Sequence, residues 1–112
     1  KHSHAWQTLI DAEKKEGWPV TSYPECVSCH VVGYGKQSGF ISPKKTKHLL
    51  NVTCENCHGA GHDHVQSQAE GDGDVKMPHS KPAVKVCTEC HNFEHSPKFE
   101  YGPYWKKIEH GG

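Results

Sequence analysis

Three copies of one five-residue pattern constrain this chain more than any other feature. They are Cys26-Val27-Ser28-Cys29-His30, Cys54-Glu55-Asn56-Cys57-His58 and Cys87-Thr88-Glu89-Cys90-His91. Cys-x-x-Cys-His is the attachment signature of a c-type haem. On a turn of helix, residues three and four apart lie on one side. Two thiols at that spacing can form thioethers to the two vinyl groups of one porphyrin, and the adjacent histidine reaches the iron from the same face. All six cysteines are used in this way, and a histidine follows every pair. Structural zinc usually takes two such pairs into one tetrahedral site, and three pairs divide badly among four-ligand sites. A thioredoxin-type dithiol needs a βαβ context, which is not visible here. A disulfide framework has no need of a histidine after each pair. The pattern therefore reads as three covalently bound haem c groups, held by Cys26, Cys29, Cys54, Cys57, Cys87 and Cys90, with His30, His58 and His91 as proximal iron ligands.

Such cofactors would also answer a packing problem. Only 33% of the 112 residues are hydrophobic, below the usual share for a globular chain. A small domain of that composition has a thin core and normally needs staples. Porphyrins supply both staples and apolar surface, so the haem-free chain is expected to be largely unfolded. Lysine plus arginine numbers 13 and aspartate plus glutamate 13. Haem propionates then make the holoprotein acidic, which argues against nucleic acid as a partner. No apolar run approaches the ~20 residues that span a bilayer, so no integral membrane segment is expected. The chain begins at Lys1 without a signal peptide and reads as a mature product or an excised fragment. Haem attachment of this type is completed outside the bacterial cytoplasm, so a periplasmic or extracellular address follows.

Of the eleven histidines, eight lie outside the motifs: His2, His4, His48, His62, His64, His79, His95 and His110. They compete for three distal positions, neutral imidazole being the commonest metal ligand. The single methionine, Met77, could cap at most one iron. Most haems should thus be bis-histidine, which favours low potentials.

Along the chain, Ser3 to about Glu16 reads as a helix with Ser3 as N-cap. Ala5, Leu9 and Ala12 form its stripe beside Trp6 and Ile10, and Gly17 and Pro19 stop it. His4, near its start, either projects over a porphyrin edge or is solvent-exposed. Residues 35–47 read as a loop, or as a short hairpin around Phe40-Ile41. Within it, Lys44-Lys45-Thr46-Lys47 is a solvated face or a docking site for an acidic redox partner. Gly59 and Gly61 let the backbone pass close to a porphyrin or turn sharply, ending one helical turn before another begins. His64 follows His58 so closely that it would more naturally serve a different haem. Asp63 either orients an imidazole or caps a helix. Glu70-Gly71-Asp72-Gly73-Asp74 reads as a flexible acidic loop without EF-hand spacing. Of Met77 and His79, the nitrogen ligand His79 suits bis-histidine chemistry better. Pro103 opens a short helix from Tyr104 to His110, ended by Gly111, with Tyr104, Trp105 and Ile108 on one face. His110 either swings onto an iron or is a last-turn histidine favoured by the helix dipole.

With these pieces in view, the chain resembles the multihaem cytochrome c-554 family. The resemblance is carried by Ser3-His4-Ala5 with Leu9, by Cys26 to Gly33, and by Val52 to Gly61 with His64. It continues through Ser96-Pro97, Phe99, Tyr101, Tyr104, Ile108 and His110. It implies a mainly α, loop-rich, small multihaem cytochrome c fold, with short helices around a haem core and one domain over residues 1–112. It also implies that His4, His64 and His110 are distal ligands. One departure stands out: relatives commonly carry another haem motif upstream of the position matching His4. If His64 serves that haem in relatives, here it is free, re-employed or paired across a chain boundary. Some relatives also keep one haem without a distal protein ligand, and the haem on Cys26 and Cys29 is the one expected to be open.

The function expected is electron transfer, since bis-histidine haems change charge without binding substrate. The chain is then no enzyme, and its partners are redox proteins or other multihaem cytochromes. One alternative is a reductase of small nitrogen or sulfur oxides at an open haem, with His62, Tyr34 or Lys36 as polar donors. The lysine-ligated variant Cys-x-x-Cys-Lys is absent. Another is a module of a larger multihaem conduit or filament, an oligomer or stacked assembly.

Overall fold

The computed structural model describes residues 1–71 and 73–110. The secondary structure is helical, short and separated by loops, and among the described residues the one β feature is an isolated antiparallel bridge between Val31 and Leu50. The described residues form six α-helices: α1 (Ala5–Glu16), α2 (Pro24–Val27), α3 (Cys54–His58), α4 (His62–Ala69), α5 (Val84–Thr88) and α6 (Tyr101–Ile108). Single 3-10 turns lie at His2–His4, Val20–Ser22 and Lys47–Leu49. The chain is thus mainly α and loop-rich. It divides into two compact units, Lys1–Ser80 and Lys81–Gly112.

The first unit is organised by α1. Its stripe buries Ala5, Trp6 and Leu9; Trp6 and Leu9 pack with Val20, Val27 and Val31, flanked by Ile10, Ala12 and Phe40. The helix stops where expected, because Gly17 takes a left-handed conformation (φ 75°) and its N–H bonds to the carbonyl of Glu13. Its start differs from expectation. Ser3 does not cap it; a 3-10 turn in which the His4 N–H donates to the Lys1 carbonyl at 3.0 Å precedes Ala5, and the Ser3 hydroxyl is engaged with the His4 ring instead.

The segment 33–49 is a closed loop, and no hairpin forms at Phe40-Ile41. The Phe40 N–H returns to the Val32 carbonyl at 3.0 Å, and the Val32 N–H takes the Leu49 carbonyl at 2.8 Å. Gly33 (φ 67°) and Gly39 let two backbones touch, since a Cβ on Gly39 would fall on the Gly33 carbonyl. Gly59 (φ 81°) ends α3 and Gly61 precedes α4, the expected break. Asp63 lies in the first turn of α4 and forms no cap bond, so the cap reading does not hold; its charge still faces the favourable end of the dipole.

In the second unit, α6 begins at Tyr101, earlier than Pro103 suggested, and ends at Ile108. His110 therefore lies beyond the helix rather than in its last turn. Gly111, expected to stop it, and Asp72 of the acidic loop are outside the described residues.

Buried side chains are distributed very unevenly. Among the described residues, every buried hydrophobic one falls between Ala5 and Leu49. No described residue from Lys81 to His110 is buried. Phe93 is 88% exposed, and Val65 and Val84 are also exposed. Side chains alone provide the second unit with almost no interior.

Candidate haem-attachment sites

Each Cys-x-x-Cys-His motif occupies a helical turn, for local reasons that differ. The second is α3 itself, started by a capping box in which Asn56 accepts the Thr53 N–H at 2.7 Å. The first follows Pro24 at the start of α2, and the His30 N–H bonds to the Val27 carbonyl at 2.9 Å. The third leaves α5 with the His91 N–H on the Cys87 carbonyl at 2.8 Å. The turn brings the two thiols of each pair to one side. Cys54 is exposed and the other five cysteines are half-buried, within reach of a group lying on the surface.

The proximal histidines share a second feature. His30 Nδ1 lies 2.5 Å from the Ala5 carbonyl oxygen. His58 Nδ1 lies 2.6 Å from the His79 carbonyl oxygen. A carbonyl can only accept, so Nδ1 carries the proton and the metal-binding lone pair of the neutral ring is on Nε2. His91 Nδ1 meets the Ser96 hydroxyl at 3.0 Å. The His91 ring stacks on Phe99 at 4.8 Å and meets the edge of Tyr104 at 5.6 Å. This is how ring orientation is fixed in metal-ligating histidines.

Three histidines outside the motifs also have a hydrogen-bond partner at Nδ1, a carbonyl for two of them and a hydroxyl for the third. His64 Nδ1 donates to the Val75 carbonyl at 2.6 Å, and Val75 is itself held by the buried Ser67 hydroxyl at 3.3 Å. His110 Nδ1 is 2.9 Å from the Ile108 carbonyl. His4 Nδ1 is 3.0 Å from the Ser3 hydroxyl. His79 is tied to the second motif by its backbone: its N–H donates to the His58 carbonyl at 3.0 Å while its own carbonyl takes the His58 ring. Met77 lies over Gly61, where a Cβ would come 2.9 Å from its sulfur. His62 and His48 are exposed, and His95 faces Glu94 at 3.9 Å. Among the described residues, no three His, Cys, Asp or Glu side chains converge as a metal-ion site.

The orienting acceptors escaped sequence reasoning because most are backbone carbonyls, and the side chains of Ala5 and Val75 carry no sign of that role. Ser96, five residues after His91, and Ser3, next to His4, are the partners with a side-chain signal.

These observations test whether a porphyrin fits. Paired thiols on a helical turn and imidazoles held at Nδ1 so that Nε2 is presented are what a covalently attached haem requires. The residues fit the group, and the site defines a c-type cytochrome. Residues 1–59 match the family described as cytochrome c554 and c-prime, and the chain belongs to it. It is similar to cytochrome c-554 of Nitrosomonas europaea, with 32% identity over 135 aligned positions, covering 96% of this chain and 57% of that protein. The chain therefore spans little more than half the length of that relative. No solved structure matches it.

Proposed function

We propose that the chain binds three haem c groups and passes single electrons between redox proteins, without turnover chemistry of its own. The observation that carries this reading is the set of ring-anchored histidines. His30, His58 and His91 belong to the motifs, and His4, His64 and His110 share their arrangement. Three irons have six axial positions, and these six imidazoles match them in number. On this assignment no axial position is left for substrate, and the haem on Cys26 and Cys29 is six-coordinate like the others. His79, whose carbonyl serves His58, is the weaker ligand candidate. The bound haem supplies a reversible one-electron Fe(III)/Fe(II) couple; the chain holds, orients and covers it.

The two compact units act on this reading as parts of one trihaem module, in the periplasm or outside the cell. Among the described residues no helix is long and apolar enough to cross a membrane. The test is a ferric spectrum with iron quantitation on the matured protein. Three irons per chain, all low-spin, are expected. Fewer irons, or a high-spin species that binds carbon monoxide, would overturn the count or the closed coordination respectively.

A further inference from the structure

We propose that the lysine turn carrying Lys44, Lys45 and Lys47 is a docking platform for an acidic electron-transfer protein; this rests on the electron-transfer reading above. Charge along the first unit is segregated. From Cys26 to Cys54 there are four lysines and no acidic residue, and from Glu55 to Asp74 five acidic residues and no lysine or arginine. The formal neutrality of the chain hides a strongly basic stretch.

A run of lysines on a mobile loop is usually a solvated face, but this turn is built. The Thr46 side chain is buried and its hydroxyl fully used: it accepts the N–H groups of Ile41 and Ser42 at 2.9 and 3.2 Å and donates to the Ser42 carbonyl at 3.0 Å. The Thr46 N–H reaches the same carbonyl at 2.9 Å, and the Lys45 N–H takes the Ser42 hydroxyl at 3.1 Å. The backbone beneath the lysines is thus fixed, so docking has to order only side chains. All three lysines are exposed, and among the described residues none is in an ion pair.

Its mounting points to a redox role. The trailing end of the turn is bonded into the first motif: Val32 N–H to the Leu49 carbonyl at 2.8 Å, and Asn51 N–H to the His30 carbonyl at 3.0 Å. A protein seated on these lysines is held against the segment that carries the first proximal histidine. Carboxylates on that partner complement the platform and steer its approach.

The experiment uses the holoprotein and flavodoxin, an acidic flavoprotein, as probe. Its anionic flavin hydroquinone gives up one electron to become the neutral semiquinone as one ferric haem iron becomes ferrous. The second-order rate is followed against ionic strength for the native protein, for Lys44→Glu/Lys45→Glu, and for Lys14→Glu/Lys15→Glu, which changes net charge equally on α1. At low salt the first variant is expected to slow on the order of tenfold or more and to lose most of its salt dependence. The α1 variant should stay within about twofold of native. Equal slowing of both variants, or none in the first, overturns the platform. So does binding to phosphatidylserine vesicles that the first variant abolishes while its flavodoxin rate stays native. Dithionite separates the two levels: haems that it cannot reduce would mean that the electron-transfer reading itself has failed.

Discussion

The imidazole Nδ1 bond is the smallest unit on which the function turns, because it decides which nitrogen is offered to a metal. His62 and His64 stand two residues apart on α4, yet only His64 has a bond from Nδ1 to a backbone carbonyl among those described. His64→Ala is expected to convert one haem to a high-spin ferric species in electron paramagnetic resonance, and His62→Ala to leave every haem low-spin. Ser96 offers a second test. A hydroxyl is a weaker acceptor than the carbonyls beside His30 and His58, and donation from Nδ1 raises the basicity of a ligating imidazole. Ser96→Ala removes the partner at 3.0 Å. It is expected to raise the reduction potential of the haem on Cys87 and Cys90, read from its haem-methyl resonances during a redox titration, and to cost about 1 kcal/mol of stability.

Between residues and the whole chain lie the elements, and two of them carry predictions. The Thr21 hydroxyl and N–H donate to the Glu13 carboxylate at 2.5 and 2.9 Å, clamping α1 to the turn at Val20–Ser22. The hydroxyl bond first, then the backbone bond, holds the Glu13 pKa below its ordinary 4.5. A carboxyl that binds its proton more weakly when folded adds stability above its unfolded pKa, and that contribution fades as pH falls through the folded value. Thr21→Val should therefore melt at a temperature that depends less on pH, from about 4.5 downward, than the native protein does. In the closed loop, Gly39→Ala forces a Cβ onto the Gly33 carbonyl. A loss of about 1–3 kcal/mol is expected by thermal unfolding, in line with overpacking elsewhere. The same elements mark what sequence could reveal. The end of α1 was legible because Gly17 has one physical use there, and the motifs were legible because thiol spacing is fixed by the porphyrin. Ser3 misled because a serine before a helix can spend its hydroxyl on a neighbouring ring. The loop closure was illegible because it depends on Gly33 and Gly39 meeting and on backbone bonds at Val32, which no side-chain pattern announces.

At the scale of the whole molecule, the hydrophobic residues of the first fifty positions form a core, and those after them do not. Hydrogen exchange on chain matured without haem should find protection around Trp6, Leu9 and Val31 and none across residues 81–110; uniform protection along the chain would show that the polypeptide folds without its cofactors. The mainly α, loop-rich class was legible through the resemblance to the cytochrome c-554 family, and the short helices bear it out. Within the first unit, the Asn56 side chain donates to the Val31 carbonyl at 2.9 Å, and the Asn51 side chain accepts the Trp6 N–H at 2.8 Å. Asn56 rivets the second attachment turn to the backbone just past the first, and Asn51, just ahead of that turn, is tied to α1. On the proposed haem assignment, tunnelling across a gap set by so short a run of covalent and hydrogen-bonded framework should be indifferent to solvent viscosity, leaving gated motion to the encounter with other proteins.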